Sequence, residues 1–580
     1  MKRHLAITIS LLLVPFAVFS QQYYLKGEVR DEAGTPLQNV MIMHPTGYIF
    51  YSGSTGTFGI LTSSAQDSLL FSLDGYQKQK MLLHASSYST VILRKAPKTA
   101  HTFKLASLTQ NLRFEAQQQW FTGEETYAST IENGFVQAQR YPSTALTLNV
   151  DRASYSNVRR FLNSKSPVPP DAVRVEEMLN YFNFNYREPA PGKTFELEAR
   201  LTTCPWNTAN QLLFATVRSR RIDVDSLPPT HLVFLIDASA SMDAPTRMPL
   251  IKAGFRGLVN NLRAKDSVSI VIYGATVGVY LNTTSGADKQ RIINAIDSLE
   301  TGGSTPGESG VKLAYSVARN HFIPNGNNRV ILATDGDFNV GLRTEEDLEN
   351  MIVEQRQSGV YLTCLGVGMG NYKDSKIQTL AQKGNGNFAY IDCYAEAEKV
   401  LMKEFMQTLY AVADDASLQV VFNPDKVKSY RLIGFDNKMG AIKDTVSVLE
   451  GGEVGSGFSL LAAFEIEMAQ AGPPGGDLAT LTLTYHTPRS ELRNEERFTA
   501  DPLHIDYDRL EKPYQFAGAV ILFASLLRES HFVRDQNWSD VSALAAKAVD
   551  PTDASQKDFP ALVEKAKAIY GSRKKKKFSY

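Results

Sequence analysis

A regular alternation of strand-like and helix-like segments, running from His231 to about Thr408, constrains the fold of this chain more than any other feature. Short apolar runs predict strands, and between them apolar residues recur three or four positions apart, as they do on one side of a helix. The predicted strands are 232–236, 268–273, 330–333 and 360–367. The predicted helices carry Met248, Ile251, Phe255, Leu258 and Leu262, then Ile292, Ile293, Ile296 and Leu299, then Val311, Tyr315 and Ala318, and two more begin at Thr344 and Tyr394. Strands that alternate with amphipathic helices predict a parallel, doubly wound α/β sheet.

Oxygen-bearing side chains follow two of these predicted strands. Asp237, Ser239 and Ser241 come directly after the first strand, and Asp335 follows the third. Thr305 lies between them in a segment rich in glycine. Because open α/β sheets bind their ligands beyond the carboxyl ends of the strands, we expect these five side chains to converge. Sets of oxygen ligands suit hard divalent cations, so the sequence predicts a site for Mg²⁺, or for Mn²⁺ or Ca²⁺ in its place.

The composition of this predicted site indicates how it would work. Two carboxylates and three neutral hydroxyls leave a divalent cation with too few ligands, because Mg²⁺ prefers six oxygens. Water, or an acidic side chain of a protein partner, would supply the rest, and binding would then be bridged by the metal and sensitive to chelators. The alternative is that the same residues only brace the loops through hydrogen bonds and hold no metal.

Residues 229–412 as a whole resemble the von Willebrand factor type A domain. The resemblance is carried by Asp-x-Ser-x-Ser at Asp237, by the distant Thr305 and by the distant Asp335, which together match that family's metal-ion-dependent adhesion site. It implies that Ser239, Ser241 and Thr305 ligate the metal, and that the two aspartates act directly or through water. One departure is an alanine between the two serines, where glycine is commonest in the family.

The segments on either side of this domain resemble the corresponding segments of one bacterial envelope family. Upstream, in residues 135–228, the matching stretches are 151–162, 173–182 and 204–207, and downstream, in residues 413–502, the match is 422–434. The chain departs from that family at 451–458. Both flanks contain strand-like segments, but neither has an obvious complete set of strands. We therefore expect them to pack together as one β-rich platform with the metal domain inserted between them.

The two ends of the chain have different predicted structures. Residues 22–96 are predicted to be all-β, and their Gly-x-Val-x-Asp, Gly-x-Pro-Leu, Gly-x-Phe and Gly-Tyr order resembles the carboxypeptidase-regulatory-like β-sandwich of Bacteroidetes envelope proteins. This resemblance implies a structural or docking module. Residues 97–134 are polar and are predicted to be a linker.

Residues 503–580 are predicted to be helical with a basic tail, and the apolar run 516–527 is too short to span a membrane, which predicts a core helix.

The first 20 residues have the pattern of a secretory signal peptide. Lys2, Arg3 and His4 precede an apolar run from Leu5 to Phe19, and no cysteine stands at the cleavage point, so a lipoprotein anchor is not expected. With no later run long enough to span a membrane, the sequence predicts a periplasmic or secreted protein. Its three cysteines, Cys204, Cys364 and Cys393, are expected to be free, although a Cys364–Cys393 bridge stays open.

These observations favour one function class over two others. The formal net charge is +0, so nothing attracts the whole chain to nucleic acid. The chain contains no His-Glu-x-x-His, no Gly-x-Ser-x-Gly and no Walker loop, and we do not expect an enzyme. The leading hypothesis is an extracytoplasmic, metal-dependent protein-binding module. The alternatives are a structural envelope scaffold whose metal is incidental, and a hydrolase without recognised motifs.

Overall fold

The computed structural model divides the chain into two compact units, Met1–His101 and Thr102–Tyr580. The residues that it describes are 23–45, 49–73, 76–95, 125, 127, 131–184, 186–223, 227–303, 307–336, 345–356, 358–368, 372, 374–384, 386–404, 410–435, 452–470, 476–488, 490, 492–501 and 503–571. The predicted signal peptide, most of the predicted linker and the basic tail lie outside them.

The first unit is all-β in its described residues, as the sequence predicts. Its strands are β1 Tyr23–Asp31, β2 Met41–Met43, β3 Ile49–Tyr51, β4 Thr57–Thr62, β5 Gln66–Ser72, β6 Gln79–His84 and β7 Tyr88–Leu93. They form two sheets, in the orders β4-β1-β7 and β3-β2-β5-β6. Alternate residues of β1, including Leu25 and Val29, are buried and join Ile42 and Phe71 of the other sheet in one core.

The second unit contains the predicted doubly wound sheet. Its strands are β12 Thr230–Asp237, β13 Ser267–Tyr273, β14 Gly278–Ser285, β15 Asn327–Thr334, β16 Tyr361–Val367 and β17 Phe388–Ile391, in the order β14-β13-β12-β15-β16-β17. All neighbours are parallel except β13 and β14. Its helices are α3 Met248–Asn260, α4 Lys289–Asp297, α5 Gly307–Asn320, α6 Glu345–Arg356, α7 Asp374–Lys383 and α8 Tyr394–Glu398.

Strand periodicity explains why helices cover both faces of this sheet. Leu232, Phe234 and Ile236 point to the side covered by α3 and α4. Val233 and Leu235 point to the opposite side, covered by α5, α6 and α7. Successive side chains of a strand alternate between faces, so a continuous apolar strand needs a helical layer on each side. The α/β expectation is confirmed.

The two flanks share their sheets. The strands are β8 Val136–Gln137, β9 Ser143–Thr147, β10 Phe195–Thr203, β11 Gln211–Ser219, β18 Ala411–Phe422, β19 Val427–Ile433, β20 Gly452–Gly455, β21 Ser459–Met468, β22 Ala479–His486, β23 Arg493–Ala500 and β24 His504–Ile505. One sheet has the order β24-β10-β11-β21-β19-β8, and the other has β20-β18-β22-β23 with β9 paired to β18. Both sheets therefore contain strands from before and from after the α/β domain, as the platform prediction requires.

A helical layer covers one face of the platform sheet that has the order β24-β10-β11-β21-β19-β8. Its helices are α1 Ala153–Asn163, α2 Val175–Asn180, α9 Lys512–Leu527, α10 Trp538–Ala548, α11 Ala554–Lys557 and α12 Phe559–Tyr570. Leu212 and Phe214 of β11 pack into this layer, whereas Leu213 and Ala215 face the other sheet. Helix α9 is buried along nearly its whole length, which confirms the core-helix prediction. Among the described residues, no helix is both long and apolar enough to cross a membrane.

Buried ion pairs connect the platform to the α/β domain. Arg174 binds Glu177 on its own helix and Asp374 at the start of α7, with an Arg174 Nη1–Asp374 Oδ2 distance of 2.5 Å. Arg159 donates to Asp392 and Glu396. Arg160 also pairs with a carboxylate, that of Glu125. The three cysteines are free thiols.

Candidate metal centre

Four of the five predicted ligands come together at the carboxyl edge of the sheet. Asp237 is the last residue of β12, and Asp335 directly follows β15. These strands pair in parallel, with Ile236 opposite Ala333, so the two aspartates leave adjacent strand ends. Ser239 and Ser241 lie on the turn after β12, and their Oγ atoms are 3.0 Å apart. Thr305, the fifth predicted ligand, lies outside the described residues.

The loop that leads to Thr305 is nevertheless attached to this turn. The Gly302 amide donates to the Ala238 carbonyl at 2.7 Å, and the Ala240 amide donates to the Gly303 carbonyl at 3.2 Å. Gly303 has a φ of +75°, and a Cβ built on it would lie 2.2 Å from the Ala275 Cα. Only glycine fits this close approach to Ala275, which lies on the loop after β13.

Asp237 is fully buried and held by hydrogen bonds to both carboxylate oxygens. Its Oδ1 accepts from the Ser239 amide at 3.0 Å. Its Oδ2 accepts from the Tyr273 hydroxyl at 3.2 Å and from the Thr334 hydroxyl at 3.1 Å. Burial raises the pKa of Asp237 to about 6, and the negative charge of Asp335 adds to the rise. A buried carboxylate with this pKa favours a nearby positive charge.

A residue that the sequence analysis missed supplies such a charge. Arg247 Nη1 donates to Asp335 Oδ2 at 2.6 Å and to the Ser241 carbonyl at 2.5 Å, and its side chain is 13% exposed. Gly368 makes room for it, because a Cβ there would lie 2.3 Å from Arg247 Nε. No motif marks this arginine in the sequence. The only available signal is a cation just before the predicted helix that follows the ligand loop.

The donor set fits a hard divalent cation. It consists of two carboxylates and two hydroxyls, all oxygen, with a third hydroxyl predicted at Thr305. Among the described residues, no group of three or more His, Cys, Asp or Glu is placed to hold a metal. Asp237, Ser239, Ser241 and Asp335 are therefore the described residues that would hold Mg²⁺ or Mn²⁺.

Comparison with known proteins defines the class of this chain. Residues 231–404 match the von Willebrand factor type A domain, and residues 121–214 match a family described as von Willebrand factor. The chain is therefore a von Willebrand factor type A domain protein. Domains of this class are commonly protein-interaction modules, and many bind a divalent metal at their adhesion site.

The particular family follows from the rest of the sequence. Residues 407–475 and 467–569 match the family described as uncharacterized protein YfbK, C-terminal. The chain is 35% identical over 474 residues to uncharacterized protein YfbK of Escherichia coli (strain K12), covering 77% of this chain and 82% of that one. This chain belongs to the YfbK family.

More distant similarities lie among animal proteins and solved structures. Inter-alpha-trypsin inhibitor heavy chain H2 of Sus scrofa is 23% identical over 300 residues, which cover 50% of this chain and 30% of that protein. The solved von Willebrand factor type A protein from Catenulispora acidiphila is 14% identical, with a TM-score of 0.39, and covers 66% of this chain and 91% of that one.

Proposed function

We propose that this protein is an extracytoplasmic, metal-dependent protein-binding module and not an enzyme. In this proposal Asp237, Ser239, Ser241, Thr305 and Asp335 hold Mg²⁺, or Mn²⁺ or Ca²⁺ in its place, and a partner protein adds an acidic side chain. The observation that carries the proposal is the convergence of four of these side chains at the carboxyl edge of the sheet. The extracytoplasmic location rests on the signal-like pattern of residues 1–20.

Each described residue has a distinct part in this proposal. The hydrogen bonds from Tyr273, Thr334 and the Ser239 amide fix the orientation of the Asp237 carboxylate, so that it need not reorganise when a cation arrives. The adjacent hydroxyls of Ser239 and Ser241 offer two oxygens on one side of the site. The bound cation would supply the positive charge that attracts the partner's carboxylate.

A structural scaffold with an incidental metal is the second candidate, and a specific contact favours it. Arg247 already neutralises Asp335, so this carboxylate has a counter-charge without any metal. In that case the buried ion pairs of the platform and the β-rich surfaces would account for the protein's role. For the first unit we propose a carboxypeptidase-regulatory-like, Bacteroidetes-type module that serves in structure or docking.

Metal binding is tested by thermal unfolding of the full chain with Mg²⁺ or Mn²⁺ and with chelator. A ligand that binds only the folded state stabilises it by about 2.7 kcal/mol at a hundredfold excess over its dissociation constant. We expect a higher Tm with metal and bound metal by elemental analysis. Asp288→Asn removes an exposed carboxylate outside the site and serves as the matched control. Equal Tm values together with no bound metal would refute the metal site.

Partner binding is tested with graded variants of the site. Asp237→Ala is expected to lose both metal and partner. Thr305→Ala is expected to keep some metal and lose the partner, because the family resemblance implies that Thr305 is the ligand most strongly coupled to partner binding. Ser239→Ala removes a hydroxyl from the first loop and is measured beside them. Partner affinity is measured for proteins that co-purify from envelope extract, with circular dichroism as the folding control. A partner that binds Asp237→Ala at full strength in chelator would leave the scaffold candidate standing.

A further inference from the structure

The C-terminal end of α1 lies at the same edge of the sheet as the candidate metal centre. Helix α1 packs beside β17, and the Ser156 hydroxyl donates to the Tyr390 carbonyl at 2.7 Å. Arg160, in the last turn of α1, donates from Nη1 to the Gly368 carbonyl at 3.4 Å. Gly368 directly follows β16, so it lies at the carboxyl end of that strand. The platform therefore contacts the edge of the sheet at which the predicted ligands meet.

Two donors hold this one carbonyl, and Arg247 packs against the same residue. The hydroxyl of Tyr390, on β17, also donates to the Gly368 carbonyl. Gly368 is buried, and a Cβ at its position would overlap the side chain of Arg247. The stem of Arg247 thus lies against a backbone segment that Arg160 and Tyr390 hold in place.

Arg247 connects this segment to one of the predicted ligands. Its Nη1 donates to Asp335 Oδ2 at 2.6 Å. A continuous series of contacts therefore runs from Arg160 through Gly368 and Arg247 to Asp335. An arginine side chain has many rotamers, so its guanidinium stays on one carboxylate only where the surrounding packing confines it. The packing against Gly368 favours the conformation in which the guanidinium lies on Asp335.

Arg160 is itself fixed by residues that precede the platform strands. Its Nη1 and Nη2 donate to the two carboxylate oxygens of Glu125 at 2.7 and 2.9 Å, which is a bidentate ion pair. The Tyr127 hydroxyl accepts from Arg160 at 3.2 Å and donates to Glu125 at 2.7 Å. Glu125 and Tyr127 belong to the predicted linker 97–134, and both are fixed against α1. Arg160 thus joins this segment to the edge of the α/β domain.

We propose that Glu125 and Arg160 form a latch, which holds Arg247 on Asp335 and thereby keeps the metal affinity of the site low. The inference rests on the proposed function, because it concerns the same metal site. Arg160 is a positioning residue that acts through Gly368 and Arg247. When the latch opens, the guanidinium can leave the carboxylate, and its repulsion of a divalent cation falls. Metal affinity thereby depends on a segment outside the α/β domain.

The test compares full-length variants by isothermal titration with Mg²⁺, with circular dichroism as the folding control. Glu125→Gln/Arg160→Met, the latch variant, removes both charges together, so that no unpaired charge stays buried, and its glutamine can still accept from Tyr127. We expect it to bind Mg²⁺ about threefold more tightly than the parent chain. Tyr390→Phe removes only the second donor to Gly368 and should shift the affinity in the same direction. If the latch variant does not fold, Tyr390→Phe takes its place in every comparison.

A matched control makes the same chemical change at the other end of α1. Arg152 precedes the first turn of this helix and pairs with Glu404 of the α/β domain, with an Nη1–Oε1 distance of 2.7 Å. Arg152→Met/Glu404→Gln therefore removes an ion pair between platform and domain without touching the latch. It is expected to bind Mg²⁺ with the affinity of the parent chain.

A second comparison introduces the latch changes into the Arg247→Gln chain. Because the latch acts through Arg247, its threefold effect should vanish there, whereas the effect of a general loosening of the fold would persist. A crystal structure of the metal-free latch variant tests the same step without metal. The Arg247 guanidinium is expected to lie more than about 4 Å from the Asp335 carboxylate, beyond the range of an ion pair.

The outcomes separate the latch from the proposed function. The latch is overturned by unchanged or weaker Mg²⁺ binding in the latch variant, by equal tightening in the control, or by tightening that persists in the Arg247→Gln chain. It is also overturned if the Arg247–Asp335 contact stays at 2.6 Å in the metal-free latch variant. Each of these results leaves the metal site intact. If neither the parent chain nor Arg247→Gln binds Mg²⁺, the metal-bridged function fails, and the metal-free structure alone decides whether the latch holds Arg247.

Discussion

At the scale of single residues, the candidate metal centre contains its own cation. Arg247 lies against the Asp335 carboxylate and the Ser241 carbonyl, in a space that Gly368 keeps open. A guanidinium and a divalent cation that share one carboxylate repel each other. Arg247 is therefore expected to lower the affinity of the site for metal, and its position is the clearest electrostatic constraint on this site.

Arg247→Gln is expected to tighten Mg²⁺ binding about tenfold, because one nearby positive charge is removed while Asp335 remains. Isothermal titration with Mg²⁺ or Mn²⁺ measures the dissociation constant directly. Arg256→Gln is the charge-matched control. It removes a cation that lies on α3 and pairs with Asp297. Weaker metal binding by Arg247→Gln would instead show that the arginine is needed to orient Asp335.

Metal affinity is expected to depend on pH through Asp237. Burial raises the pKa of this carboxyl to about 6, and a ligand must be deprotonated to serve a metal. The affinity should be nearly constant above pH 7 and fall by about tenfold per unit below pH 6. In the metal-free chain the same shift has the opposite consequence: stability falls as pH rises from the unfolded pKa to about 6, since the folded state binds more protons there. Titrations at several pH values check this, and equal affinities at pH 7.5 and 5 would contradict it.

At the scale of elements, the site depends on how two loops approach each other after their strands end. The parallel register of β12 and β15 brings Asp237 and Asp335 together. Gly302 and Gly303 join the ligand turn by backbone hydrogen bonds, and Gly303 also approaches Ala275 on the loop after β13. Strand register therefore brings the two aspartates together, and backbone hydrogen bonds attach the neighbouring loop to the ligand turn.

Gly303→Ala is expected to destabilise the fold by about 1–3 kcal/mol and to weaken metal binding, because its backbone lies at positive φ and the new Cβ would overlap Ala275. Gly302→Ala is a matched control, since nothing lies within 4 Å of a Cβ at that position. Its free energy of unfolding should stay within about 0.5 kcal/mol of the parent value. Denaturant unfolding and metal titration of both variants test this, and equal losses would argue against the close approach.

Elements with strong apolar periodicity were predictable, and weakly patterned ones were not. The predicted strands 232–236, 268–273, 330–333 and 360–367 correspond to β12, β13, β15 and β16 within a few residues. The two edge strands, β14 and β17, were missed: Val279 and Tyr280 of β14 are exposed, and β17 is only 4 residues long. An edge strand is covered on fewer sides, so its sequence carries less of the pattern that marks a strand.

At the scale of the whole molecule, the α/β domain is an insertion in a β-rich platform. Strand β11 pairs along its length with β21, although the complete α/β domain separates them in sequence. The Arg329 guanidinium in β15 is fully buried and reaches Glu453 of the platform at 3.1 Å, and burial raises the pKa of that carboxyl to about 7. The platform and the inserted domain are thus joined by buried charges as well as by apolar contacts.

A fragment of residues 229–412 is expected to fold alone, because its sheet and both helical layers lie within those residues. A fragment of residues 135–228 is expected to be unstable, since β11 would lose β21 and one side of its core. Circular dichroism and limited proteolysis of both fragments measure this. A protease-resistant 135–228 fragment would refute the shared platform, and an unfolded 229–412 fragment would show that the platform contacts are required by the inserted domain.

The sequence by itself determined the α/β class, the position of its four central strands and of the helices between them, and the identity of the candidate ligands. These follow from local periodicity and from the types of residue at strand ends, which need no knowledge of distant contacts. Only the tertiary structure decided how the two flanks pair and where the Arg247 guanidinium lies. Such features depend on contacts between residues far apart in sequence. Forming these contacts costs the entropy of closing the intervening chain, and no local sequence pattern encodes which distant segments pack together.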